Sequence, residues 1–297
     1  MTFYECSSLT SIELPNSLTS IGDGAFSNTP LINNKDNYIN GVLYIGKYLI
    51  ATENNIESLI VQENSVIASS AFNGCYRLRY LSIYDLSYGQ LSSLTNLETL
   101  IINNVNYDMP LLYEAFGYSI PQTFKNIVLK DCGYKINKNM FYNITGINIF
   151  IDEYKENLMW NEDTPNWNNG NKVYYKGDWT KVEFYDENNT WIDTQYRTIS
   201  EIIKQPHVSS KIDNEYSTIF IGWDIDGDGI VDSIPATSTT DIIAKAIKQT
   251  LKTEYVINFI DYNGETISSS IYDYNDEYSY TYCTFKKRIY LYRLVRI

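Results

Sequence analysis

The sequence predicts a mainly β fold, with a solenoid of parallel strands, one per coil, over its first half and smaller strand-rich modules after it. Three patterns support this. Large apolar residues recur in the spacing L-x-x-L-x-L at Leu9/Ile12/Leu14, Ile56/Leu59/Val61, Leu78/Leu81/Ile83, Leu97/Leu100/Ile102, Phe124/Ile127/Leu129 and Ile144/Ile147/Ile149. An Ala-Phe pair recurs at Ala25-Phe26, Ala71-Phe72 and Ala115-Phe116, and more loosely at Met140-Phe141. A repeat of roughly 20 to 29 residues with this core is the signature of a leucine-rich solenoid. Beyond it, a strand-turn-strand pattern at 182–192 returns at 257–267.

One such repeat cannot bury its apolar side alone, so successive units must stack. Alternate residues of a strand share a face, so the leucines of each row enter the core while the residue between them points out. The Ala-Phe pair closes the opposite wall, the small residue admitting a close backbone approach.

Within the first half, residues 38–50 read as a hairpin inserted between coils. Tyr38 to Ile45 and Lys47 to Ile50 are its strands, and Asn40-Gly41 is a turn signal. The stretch Cys6 to Phe26, with residues 66–83, resembles the BspA-like leucine-rich repeat of bacterial surface proteins and some protists. That resemblance implies a surface or secreted binding protein, with the solenoid spanning residues 1–155. Met1 falls inside a repeat, which reads as an internal fragment or a truncated gene.

Between Asp152 and Trp179 the row pattern breaks, and Trp160, Trp167 and Trp179 lie in a segment rich in Asn, Asp and Gly. Residues 156–179 are expected to cap the last coil, since an uncovered apolar coil aggregates. A sugar-stacking platform is the sharper alternative.

From Lys181 a strand turns at Asn188-Asn189 into a second strand. Pro206, Gly222-Trp223-Asp224 and a closing strand near Ala244 follow. This order resembles the internalin-type B repeat (Listeria-Bacteroides repeat), which implies a β-grasp-like module over 180–250. Residues 251–297 then form an incomplete second copy with an atypical basic, apolar tail. A truncated or frame-shifted end accounts for that tail; a membrane-surface segment is the alternative.

The formal net charge is −13, which argues against nucleic acid as a partner because phosphate binding needs clustered Lys and Arg. No hydrophobic run reaches transmembrane length. The four cysteines, Cys6, Cys75, Cys132 and Cys283, show neither metal-ligand spacing nor a disulfide framework and are expected to be buried thiols. His207 is the only histidine and is expected at the surface, so no nucleophile–histidine pair is indicated.

The metal-like motif is Asp224, Asp226, Asp228 and Asp232 around Gly227 and Gly229. It matches much of a calcium loop, but Pro235 stands where a bidentate Glu belongs. Asp and Gly equally suit an ion-free turn. No other cofactor is expected.

The register above places Glu13, Ile60, Ser82, Ile101, Val128 and Asn148 in one outward column, with Tyr80 and Tyr84 beside it. Exposed aliphatic residues there would form an interaction patch, unless a loop or the hairpin covers them. The expected function is therefore non-enzymatic: binding a protein or glycan on a host or neighbouring cell, with the B repeats as spacers. The alternative is a carbohydrate-binding accessory region of a larger surface enzyme, stacking sugars on Trp160 or Trp167.

Overall fold

The computed structural model describes residues 2–105, 109–132, 139–155, 167–212, 216–252, 254–260, 265–273, 290–291 and 295–296. These fall into two compact units. The first comprises residues 1–180 with 196–201, the second residues 181–195 with 202–297.

In the first unit five of the six apolar rows become strands; the first, Leu9/Ile12/Leu14, lies outside any strand. Strands β1 (Val42–Ile45) and β2 (Tyr48–Thr52) form the inserted hairpin. At its entrance Ile39 and Val42 exchange backbone hydrogen bonds, with Asn40 and Gly41 at φ +52° and +77°. Both φ values are positive, as a two-residue type I′ turn requires, which is why Asn-Gly stands there. Strand β4 (Val66–Ile67) adds to β2 in parallel.

The main sheet runs through β3 (Ser58–Ile60), β5 (Tyr80–Ile83), β6 (Thr99–Ile102), β7 (Asn126–Leu129), β8 (Asn148–Ile151) and β9 (Lys172–Tyr175). All five pairings in this order are parallel. Leu59, Leu81, Leu100, Ile127 and Ile149 stand in one register and enter the core. Phe26, Phe72, Phe116 and Phe141 are buried on the opposite wall, with Ala71 and Ala115. Each fully buried Leu or Phe contributes about 1.5–3 kcal/mol.

Two rows differ from the sequence register. In the last predicted row it is Ile149 and Ile151, not Ile147 and Ile149, that align with Ile127 and Leu129. Phe150 therefore takes the outward position expected of Asn148. The pattern Ile147-x-Ile149-x-Ile151 has period two, so it fits either register, and stacking on β7 selects one. The segment expected to be only cap holds a further row, because Lys172–Tyr175 pairs with β8. Polar side chains close this end. Asn171 donates to the Ile144 carbonyl and accepts from the Ile147 N–H, and Asn169 donates to the carbonyls of Phe141 and Ile144.

Strands β10 (Trp179–Tyr185), β11 (Trp191–Thr198), β12 (Lys211–Ile212), β13 (Tyr216–Asp224) and β14 (Ile242–Lys252) make a sheet of order β11-β10-β14-β13-β12. The first and last strands run parallel at its centre. The core of the second unit is Val182, Phe184, Ile203, Val208, Trp223, Ala244 and Ala246. The Trp223 ring lies edge-on 4.8 Å from Phe184, and its Nε1 donates to Gln205. Asp186 organises the β10–β11 turn by accepting the N–H groups of Asn188 and Thr190, and Asn189 takes φ +63° there.

Beyond these, β15 (Glu254–Ile260) and β16 (Thr266–Asp273) form an antiparallel hairpin. Two short tail strands, β17 (Tyr290–Leu291) and β18 (Val295–Arg296), pair with β15. The turn expected at 261–264 and most of the basic tail lie outside the described residues.

Candidate binding surface

The outward column of the main sheet is Ile60, Ser82, Ile101, Val128 and Phe150. Its first member is 66% exposed, whereas Ile101 is 2% and Val128 0% exposed. Ser82 and Tyr80 are also buried. The expectation of an open face therefore fails at Tyr80, Ser82, Ile101 and Val128 and holds at Ile60; Glu13 is exposed but lies in no strand of the sheet, so it is not part of the column, and Tyr84 is half-buried.

The cover comes from the same unit. Tyr196 packs on Phe150 at 5.8 Å and reaches the Tyr80 hydroxyl at 3.4 Å, so it lies across the rows that carry Val128 and Ile101. Trp179 packs on both Phe150 and Tyr196, its Nε1 donating to the Ile151 carbonyl. Aromatic cover accounts for the aliphatic residues there, and polar outward groups are paired. Asn103 donates to the Ser82 hydroxyl at 2.7 Å, and Asn148 donates to Asn126 at 3.1 Å.

A ladder of alternating charge, not foreseen above, stays open at the N-terminal ends of the strands. Glu57, Arg79, Glu98 and Lys125 each immediately precede the first residue of β3, β5, β6 and β7. The Arg79 guanidinium bridges them, 3.0 Å from Glu98 and 3.8 Å from Glu57. With Arg77, Asn96 and Thr123, the residues Glu57, Arg79 and Glu98 line a cleft of about 260 Å³. The signal in the sequence is the charged residue one position before each strand.

Among the tryptophans, Trp167 is half-buried against Phe141 at 5.8 Å, and Trp179 is buried. Trp160 lies outside the described residues. Cys75 and Cys132 are buried as expected, and burial pushes their thiols up to about 11 and about 12. Cys6 corrects the expectation, since it is exposed on the first turn; Cys283 lies outside the described residues. His207 is exposed.

In the acidic turn, carboxylate oxygens of Asp224, Asp226 and Asp232 lie within 4.8 Å of one another, while Asp228 is not part of that group. Those same carboxylates hold the turn: Asp224 accepts the N–H groups of Gly227 and Gly229, and Asp232 accepts that of Ile225. Three carboxylates without a bidentate Glu offer a weak seat for a divalent cation.

Residues 1–96 match the BspA type leucine rich repeat region in six copies. Among curated proteins, none matches the chain. No helix among the described residues is long and apolar enough to cross a membrane.

Proposed function

We propose that this chain is a non-enzymatic recognition protein, displayed on or secreted from a bacterial cell, whose solenoid binds a protein partner. The leucine-rich repeat match supports a bacterial surface module for protein interaction. The observation that carries the choice of surface is the exposed Ile60 on β3, the strand that Glu57 of the open charged ladder immediately precedes. An apolar anchor rimmed by fixed charges of both signs suits a protein surface, where charge pairing sets register and specificity. Stacked rows hold these groups rigidly, so little ordering is required on binding.

Residues 180–250 act in this reading as an internalin-type B repeat and spacer. The parallel pair at the centre of their sheet and the Gly222-Trp223-Asp224 motif, with Trp223 in the core, support the β-grasp-like assignment.

The test is a microarray of purified secreted proteins and membrane ectodomains, probed with the wild type and with Ile60→Asp and Arg77→Glu. Hits weakened at least tenfold by both variants are expected. No hit, or hits indifferent to both, would overturn the reading.

A further inference from the structure

A groove on the first unit, away from the charged ladder, is built from three successive stretches of the solenoid: residues 19–21, 65–69 and 85–90. Its volume is about 190 Å³, close to that of one hexose ring. Ser65, Ser69, Asp85, Ser87, Tyr88 and Gln90 line it, and Ile21 and Ile67 supply apolar surface. Among the described residues no Lys or Arg lines it. The Ser65 hydroxyl is buried and has no hydrogen-bond partner among the described residues.

Tyr88 at the mouth of the groove is 63% exposed and joins a ring cluster. Tyr118 lies edge-on to Tyr88 at 5.7 Å and to Tyr113 at 5.3 Å. The Tyr118 backbone is left-handed, with φ +67°. The same position, two residues after the wall Phe, is left-handed in other coils, where Glu5, Asn28, Gly74 and Asn143 occupy it. Gly and Asn adopt that conformation readily; a bulky ring there is strained by roughly 1–2 kcal/mol. The solenoid thus carries an exposed tyrosine where its own stability favours glycine, next to a polar groove.

We propose that this groove and its tyrosine rim form a binding site for a neutral glycan. Short hydroxyls, a carboxylate and an amide suit the hydroxyls of a sugar, and the aliphatic wall and tyrosine rings suit its C–H faces. The net charge of −13 disfavours uronic and sulfated polymers. The inference is independent of the protein-binding surface at Ile60.

The probes are native gels containing starch, mixed-linkage β-glucan, xylan or galactomannan, with cellulose and chitin pull-downs for insoluble polymers. The wild type is expected to be retained by at least one polymer. Tyr88→Ala and Tyr118→Gly should weaken retention tenfold or more. Tyr118→Gly also keeps or raises Tm, because glycine relieves the backbone, so its loss of retention is not a loss of fold. Tyr142→Ala, an exposed ring on another coil, should behave as wild type, as should Ile60→Asp. Failure of every polymer to retain the wild type, or retention unchanged in Tyr88→Ala and Tyr118→Gly, would overturn the site.

Discussion

The outer face of the main sheet makes the sharpest prediction, because two residues in the same column should respond very unequally to the same change. Val128 and Ile60 both sit at the outward position of their row, but Val128 is 0% and Ile60 66% exposed. Val128→Asp removes a fully buried side chain, worth about 1.5–3 kcal/mol. It also places a carboxyl group among apolar neighbours, adding about 1–3 kcal/mol for an unsatisfied polar group. The sum, about 2.5–6 kcal/mol, lowers Tm by on the order of 10 °C for a unit of this size. Ile60→Asp should cost about 1 kcal/mol or less, as a surface change on an edge strand. Burial raises the pKa of the introduced carboxyl in the folded state, so its penalty grows as pH rises past the unfolded value near 3.9. The Val128→Asp deficit should accordingly be smaller at pH 4 than at pH 8. Thermal unfolding followed by circular dichroism reads both variants at both pH values. If Val128→Asp melts within a degree or two of Ile60→Asp, the aromatic cover over the sheet is wrong.

Three further outcomes follow from the same packing. At pH 8 in the native state, Cys6 should react with iodoacetamide within minutes, while Cys75 and Cys132, buried with thiols raised to about 11 and about 12, stay unmodified; peptide mass mapping reads each site, and rapid labelling of Cys75 would contradict its burial. Gly41→Ala should cost about 1–3 kcal/mol, because Gly41 has φ +77° and an added Cβ would lie 2.5 Å from the Ile56 side chain; urea unfolding with no shift in midpoint would refute this. Asp224→Ala orphans the Gly227 and Gly229 N–H groups and should destabilise the second unit by about 2–4 kcal/mol, with or without calcium. EDTA should leave the wild-type Tm unchanged; a drop matching Asp224→Ala would instead mean that a bound cation holds the turn.

The row triplets, the Ala-Phe walls, the Asn40-Gly41 turn and the strand pairs around 182–192 and 257–267 were determined by the sequence alone, because each is local. Side-chain spacing fixes which face a residue takes, and Asn-Gly accepts positive φ with little strain. The register of the last row, the extra strand Lys172–Tyr175 and the closing of the outer face were decided only in three dimensions. Ile147-x-Ile149-x-Ile151 satisfies two registers equally until a neighbouring strand chooses. Val128 is buried on a face that Tyr196, far along the chain, packs across through Phe150 and Tyr80, and no periodicity records a contact at that distance. The candidate sites divide in the same way. Ile60 and the acidic turn can be read from spacing, whereas the ladder of Glu57, Arg79 and Glu98 and the groove beside Tyr88 exist only because successive coils bring separate stretches together.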